Sequence, residues 1–237
     1  MKKKNIFAML FLLIFVLLMG GKASAQYDGN NWNTAYQVVN MGNAPADIVV
    51  KYYDSAGTEI TAAEKTFTDV PANGSVLVVQ YSDDPDLPDG TYSAIISADQ
   101  PIAAISNLQL VPEGATNYTP GPPFSTYSGQ GVGSTTLTLP AVMHNWYGYY
   151  TEIIIMNTSG TQANDVDIAF VPGTMDIGAG PEVTGASGVA ENDLSIPGYA
   201  SLLKSQETKT DLGAPSGSFQ GKFFGSANIT ADQRIIA

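Results

Sequence analysis

The sequence predicts an all-β chain made of two tandem antiparallel sandwich domains, and three observations predict it. Apolar residues alternate with polar ones at the period of a strand. One order of strands and turns is written twice along the chain. No stretch beyond residue 25 shows helical spacing.

The alternation is clearest at Val166, Ile168 and Phe170, which point one way while Asp165 and Asp167 point the other. Ile48, Val50 and Tyr52 obey the same rule. Burying one face and wetting the other is what an antiparallel sheet of a sandwich requires. Residues 91–97 and 102–110 read as a hairpin closed by Ala98-Asp99-Gln100-Pro101.

The repeat aligns Trp32-Asn33-Thr34-Ala35-Tyr36-Gln37-Val38-Val39-Asn40 with Tyr149-Tyr150-Thr151-Glu152-Ile153-Ile154-Ile155-Met156-Asn157. Each piece is an aromatic start, a threonine, an apolar strand and a terminal asparagine. Pro71-Ala72-Asn73-Gly74-Ser75-Val76-Leu77 then matches Pro197-Gly198-Tyr199-Ala200-Ser201-Leu202-Leu203, and Asp86-Leu87 matches Asp211-Leu212. Ser97-Ala98-Asp99-Gln100 matches Thr230-Ala231-Asp232-Gln233. The second copy carries insertions, chiefly a Gly-rich loop at 173–192.

The first 25 residues are expected to lie outside the fold. Lys2, Lys3 and Lys4 precede an unbroken apolar run of 14 residues at 6–19, and Ala23-Ser24-Ala25 is the small-x-small pattern of a signal-peptidase site. A run of that length is short of the roughly 20 residues that span a bilayer. The mature chain then begins at Gln26, in a secreted or cell-surface setting. Its loss removes four lysines, leaving six basic residues against 22 acidic ones, a net charge of −16. Such a surface repels phosphate backbones, which argues against nucleic acid and anionic membranes as partners. There is no cysteine, so each domain must rely on its apolar core, and about 100 residues suffice for one.

The expected organisation is a signal peptide at 1–25, a first sandwich at 26–111, a Pro/Gly/Ser-rich linker at 112–133 and a second sandwich at 134–237. Pro120-Gly121-Pro122-Pro123 cannot join a central strand, because proline lacks the donor N–H. Copy one continues past Ile102 to Leu110, whereas copy two stops two residues beyond Ile235. The second sandwich is therefore expected to lack its last strand, through a partial sequence or through completion by a strand from a neighbour.

Leu139-Pro140-Ala141-Val142-Met143-His144-Asn145, then Tyr150-Thr151-Glu152-Ile153-Ile154-Ile155-Met156-Asn157 and Thr230-Ala231-Asp232-Gln233, resemble a tandem immunoglobulin-like or fibronectin-like repeat of secreted bacterial surface proteins. The resemblance covers about residues 31–111 and 134–237. It implies an immunoglobulin-like sandwich fold and an exported location, and it brings no catalytic residues.

The residues themselves offer little for catalysis. His144 is the only histidine, no nucleophile elbow accompanies it, and structural zinc lacks ligands. Asp83, Asp84, Asp86 and Asp89 put four carboxylates in one loop, which reads as a solvated acidic turn or as a calcium site. The second copy keeps only Glu207 and Asp211 there, with Lys209 between. Trp146 and Tyr147 have no counterpart in the first copy and read as packing residues or as rings that stack on a sugar or protein partner. The expected function is a non-catalytic structural or adhesive surface or matrix module, self-associating through an open sheet edge by β-strand addition. The alternative is a carbohydrate- or calcium-dependent binding module. In either case the partner is a cell-surface or matrix protein or glycan.

Overall fold

The computed structural model describes residues 11–18, 30–83, 86–88, 90–112, 124–146, 148–175, 183–184, 190–206, 212 and 221–237. It is nearly all strand, its sheets are antiparallel, and it divides into two units, Met1–Val132 and Gly133–Ala237.

The first unit contains β1 (Phe11–Leu18), β2 (Asn30–Asn40), β3 (Ala46–Tyr53), β4 (Lys65–Val70), β5 (Ser75–Val79), β6 (Thr91–Ala98), β7 (Ile102–Pro112) and β8 (Phe124–Ser128). They form two four-stranded sheets, ordered β1-β6-β3-β4 and β5-β2-β7-β8. One core joins them. Tyr36 and Val38 from β2 and Val78 from β5 cluster with Ile48, Val50 and Tyr52 from β3 and with Ala94 and Ile96 from β6. The alternation read at Ile48, Val50 and Tyr52 is therefore a core stripe, each side chain 0% exposed. Burying such a side chain contributes roughly 1.5–3 kcal/mol. Within this core the Tyr36 and Tyr52 hydroxyls meet at 2.5 Å, so two polar tips satisfy one another.

The second unit contains β9 (Ser134–His144), β10 (Glu152–Asn157), β11 (Ala163–Pro172), β12 (Thr174–Met175), β13 (Val183–Thr184), β14 (Ala190–Ile196), β15 (Ser201–Ser205) and β16 (Phe223–Ile236). β12 and β13 form a small ribbon. The others make one sheet, ordered β14-β11-β16-β10-β15, with β9 along β16. Val166, Ile168 and Phe170 of β11 share a core with Ile153 and Ile155 of β10, as the alternation predicts. Lys204 of β15 and Glu191 of β14 meet at 2.5 Å, joining the two ends of the sheet path.

The repeat holds at the level of register. Gln37 pairs with Leu77 in the first unit and Ile154 with Leu203 in the second. Val50 pairs with Ile96, and Ile168 with Ile229. The terminal asparagines explain why. Asn40 Nδ2 donates to the carbonyls of Ala44 (2.7 Å), Val70 (2.9 Å) and Pro71 (3.2 Å), and its Oδ1 accepts from Gly42 N at 2.8 Å. Asn157 Nδ2 donates to Thr161 (2.7 Å), Ile196 (3.1 Å) and Pro197 (3.2 Å), and its Oδ1 accepts from Ser159 N at 2.9 Å. Both side chains are 0% exposed. Each one ties its strand to the turn that begins at Pro71 or Pro197.

The aspartates of the Ala-Asp-Gln motif make a second repeated tie. Asp99 Oδ1 accepts from Asp47 N at 2.9 Å, and Asp232 Oδ1 accepts from Asn164 N at 3.0 Å.

One expectation changes, and two segments gain strands. The segments at 91–97 and 102–110 are strands but not a hairpin, because β6 and β7 lie in different sheets. Asp99 holds the start of that connection to β3, while the Pro101 carbonyl accepts from Met41 N at 2.7 Å beside β2. The two ends of the connection are thus anchored to opposite layers. In the second unit the same crossing is made by continuous β16, which pairs with β11 through Thr230 and reaches β10 at Ile235 and Ile236. Within the stretch read as linker, Phe124–Ser128 pairs with Ile105–Gln109 as β8. Within the stretch read as leader, Phe11–Leu18 pairs with β6 as β1.

Replacing Asn40 or Asn157 with alanine removes the side-chain donor to one buried carbonyl, that of Val70 or Ile196, and to two part-buried ones. Each change is expected to lower unfolding free energy by at least about 2 kcal/mol, read from urea unfolding. A loss within experimental error would show that the ties are incidental.

Candidate functional site

The turn from β9 to β10 carries His144 and the aromatics singled out in the sequence. Asn145 adopts φ 48 and Gly148 φ 82, which reverses the chain so that Trp146 N donates to Tyr149 O (3.2 Å) and Tyr149 N to Trp146 O (2.9 Å). Trp146 turns inward. It is 4% exposed, with its ring 5.9 Å from that of Phe224. Tyr147 lies outside the described residues. The ring offered to solvent at this turn is Tyr149, 69% exposed, which the sequence reading had treated as the counterpart of Trp32.

His144 is 8% exposed, and its Nδ1 lies 2.5 Å from the Gln206 carbonyl oxygen. A carbonyl only accepts, so Nδ1 carries the proton and donates. The ring also packs edge-on against Tyr150, at 5.5 Å. These contacts make His144 a joint between the end of β9 and the residue after β15.

The acidic loop is described at Asp83 and Asp86. Asp83 ends a one-turn helix, Gln80–Asp83, and its Oδ2 accepts from Val79 N at 2.7 Å. Its carbonyl accepts from Lys65 Nζ at 2.5 Å. Asp86 is exposed, and Asp84 and Asp89 lie outside the described residues. Among the described residues no three metal-capable side chains come together.

A pair of residues that the sequence reading passed over is repeated instead. Gln80 follows β5 and Gln206 follows β15, at equivalent places in the two units. Both are 0% exposed, and neither amide makes a hydrogen bond through Oε1 or Nε2 to any protein group. The matching frames Ser75-Val76-Leu77-Val78-Val79-Gln80 and Ser201-Leu202-Leu203-Lys204-Ser205-Gln206 carried that signal.

The first unit also presents a sheet face without charge. On β2, β5, β7 and β8 every described outward position is uncharged, although the chain holds 22 acidic residues. Leu77 (60% exposed), Gln37 and Ile105 (40%) form a row across three strands, because Gln37 pairs with both neighbours. Beside it Thr126 Oγ1 donates to Asn107 Oδ1 at 2.9 Å, and Gln37 Nε2 donates to Ser75 Oγ at 2.8 Å. The second unit repeats the exposed leucine as Leu203.

No family model and no curated protein matches the chain. Among solved structures, the crystal structure of Thermotoga maritima 1070 aligns at 12% identity and TM-score 0.35, covering 51% of this chain and 92% of that one. A likeness of that size carries no argument about fold or function.

Charge elsewhere is used locally. Lys51 Nζ donates to Glu59 Oε1 at 2.8 Å and stands 3.4 Å from Glu64 Oε2. The Glu59 hydrogen bond is the main cause that raises the Lys51 pKa above 10.5, with Glu64 adding to it and burial opposing. A raised lysine pKa stabilises the fold at every pH below the unfolded value, and this is lost as pH climbs through the folded value. Lys51→Met is therefore expected to cost under about 1 kcal/mol at neutral pH, with the difference vanishing in strongly alkaline urea titrations. A difference that grew with pH would contradict the pairing. Gln80→Met and Gln206→Met remove an uncompensated buried amide, so each is expected to raise unfolding free energy by about 1–3 kcal/mol. A fall instead would mean that the amides are satisfied in solution.

Proposed function

We propose that this chain is an exported, non-catalytic structural or adhesive module of the cell surface or extracellular matrix, built from two tandem immunoglobulin-like sandwiches. The observation that carries this reading is the outer face of β5-β2-β7-β8, uncharged at every described position on a strongly acidic protein. A face of that kind sheds little bound water and meets no like-charge repulsion, so it is where a neutral partner docks. The core supports the reading too. Each unit gathers its apolar residues into a core of its own, and the only histidine is engaged with a carbonyl and a ring. The leader pattern at 1–25 supports export.

A second reading, a carbohydrate-binding module, is favoured by the amide and hydroxyl groups of Gln37, Asn107 and Thr126 beside the Leu77–Ile105 row. Calcium dependence belongs to that reading through Asp83, Asp84, Asp86 and Asp89, and Tyr147 belongs to it as a sugar contact, whereas Trp146 is buried against Phe224. Pull-down of the secreted protein on cell-wall protein and glycan fractions, with and without a calcium chelator, separates the two. Retention on protein fractions unaffected by the chelator is expected. Leu77→Glu with Ile105→Glu is expected to weaken retention by roughly tenfold or more while leaving the melting temperature unchanged. Retention indifferent to both substitutions would remove this face from the account.

A further inference from the structure

The two units differ at one strand position. In the second unit Ile229 of β16 pairs with Ile168 on one side and with Leu137 of β9 on the other. In the first unit Ile96 of β6 pairs with Val50 on one side and with Leu13 of β1 on the other. The place that the second unit fills with its own β9 is filled in the first unit by the apolar segment of the leader. Export with cleavage before Gln26 removes that segment, and β6 is then an edge.

β6 has none of the devices that protect an edge. It is Thr91-Tyr92-Ser93-Ala94-Ile95-Ile96-Ser97-Ala98, without a charge or a proline. Its pairing with β1 runs through eight consecutive residues without a bulge. Tyr92, Ser93, Ala94, Ile95 and Ile96 are buried on both faces, which is the pattern of a central strand.

We infer that, after the leader departs, β6 pairs antiparallel with β6 of a second copy. The result is a two-fold dimer with one continuous sheet, β4-β3-β6 joined to its symmetry mate. Three observations select a second copy as the occupant. An antiparallel pair of identical strands is self-complementary, as a two-fold contact demands. The strand is as long as the one it replaces, eight residues. The absence of charge on β6 lets two chains of net charge −16 approach there without a carboxylate on either strand. β9 is not available as a donor, since it already pairs with β16 of its own unit.

The inference rests on the export reading, and one experiment separates their failures. The chain is produced with its leader in a secreting bacterial host, and the secreted protein is examined by N-terminal sequencing, light scattering and amide exchange. The expected result is a chain starting at Gln26, a concentration-dependent dimer, and protected β6 amides. Ser97→Lys and Thr91→Lys, both on β6, are each expected to weaken the dimer by roughly tenfold or more, with circular dichroism reporting that the fold is kept. A chain starting at Gln26 that stays monomeric, a dimer untouched by both lysines, or a foreign peptide bound along β6 would overturn the two-fold pairing and leave export standing. A chain that stays in the cell with 11–18 retained along β6 would overturn both.

Discussion

The carboxamide of Asn40, and of Asn157 in the second unit, is the contact on which the rest of the structure depends. It sits at the last residue of β2 or β10, where the chain turns towards β3 or β11 and carbonyls along the turn must still be satisfied. One side chain supplies donors to the turn that follows it and to the segment preceding β5 or β15. A buried carbonyl without a donor costs about 1–3 kcal/mol, so register errors that displace the asparagine from Val70 or Ile196 are penalised. The Asp99 and Asp232 carboxylates act at the other end of the fold, on the first residues of β3 and β11. Between these two ties the apolar stripes have only one way to face each other.

This division of labour frees the surface for function. Among the described residues each core gathers the alternating apolar side chains, and the ion pairs Lys51–Glu59 and Lys204–Glu191 lie outside both clusters. What remains distinctive outside is where charge is missing: the outer face around Leu77 and Ile105, and the length of β6. In an acidic protein those two uncharged surfaces are the places where contact is least opposed. One is suited to a partner by its lack of charge, the other, once the leader departs, to a strand by its backbone hydrogen-bonding groups.

Much of the fold was legible in the sequence because alternation is a local signal. Ile48, Val50 and Tyr52, and Val166, Ile168 and Phe170, announce their faces without reference to anything distant. The repeat added the register, since matched landmarks imply matched pairing. What alternation does not encode is which sheet a strand joins. The Ala98-Asp99-Gln100-Pro101 turn looks like a hairpin from its residues, and only the anchors at Asp47 and Met41 show that it crosses between layers. Trp146 was ambiguous for a related reason. An aromatic in a turn can point either way, and here Asn145 and Gly148 in left-handed backbone rotate it onto Phe224 and leave Tyr149 outside. Gln80 and Gln206 were written in matching frames, yet an amide after an apolar strand reads as the beginning of solvent. β8 escaped because its stretch lies among prolines and glycines, and β1 because its apolar run follows lysines and carries the pattern of a leader.

The most direct test of the repeated tie is the exchange rate of the side-chain amide protons of Asn40 and Asn157, followed by nuclear magnetic resonance. Two carboxamide groups exchanging only on unfolding, far more slowly than those of ordinary surface asparagines, are the predicted result. Rapid exchange at either residue, with its unit still folded, would contradict the claim that this buried contact sets the architecture.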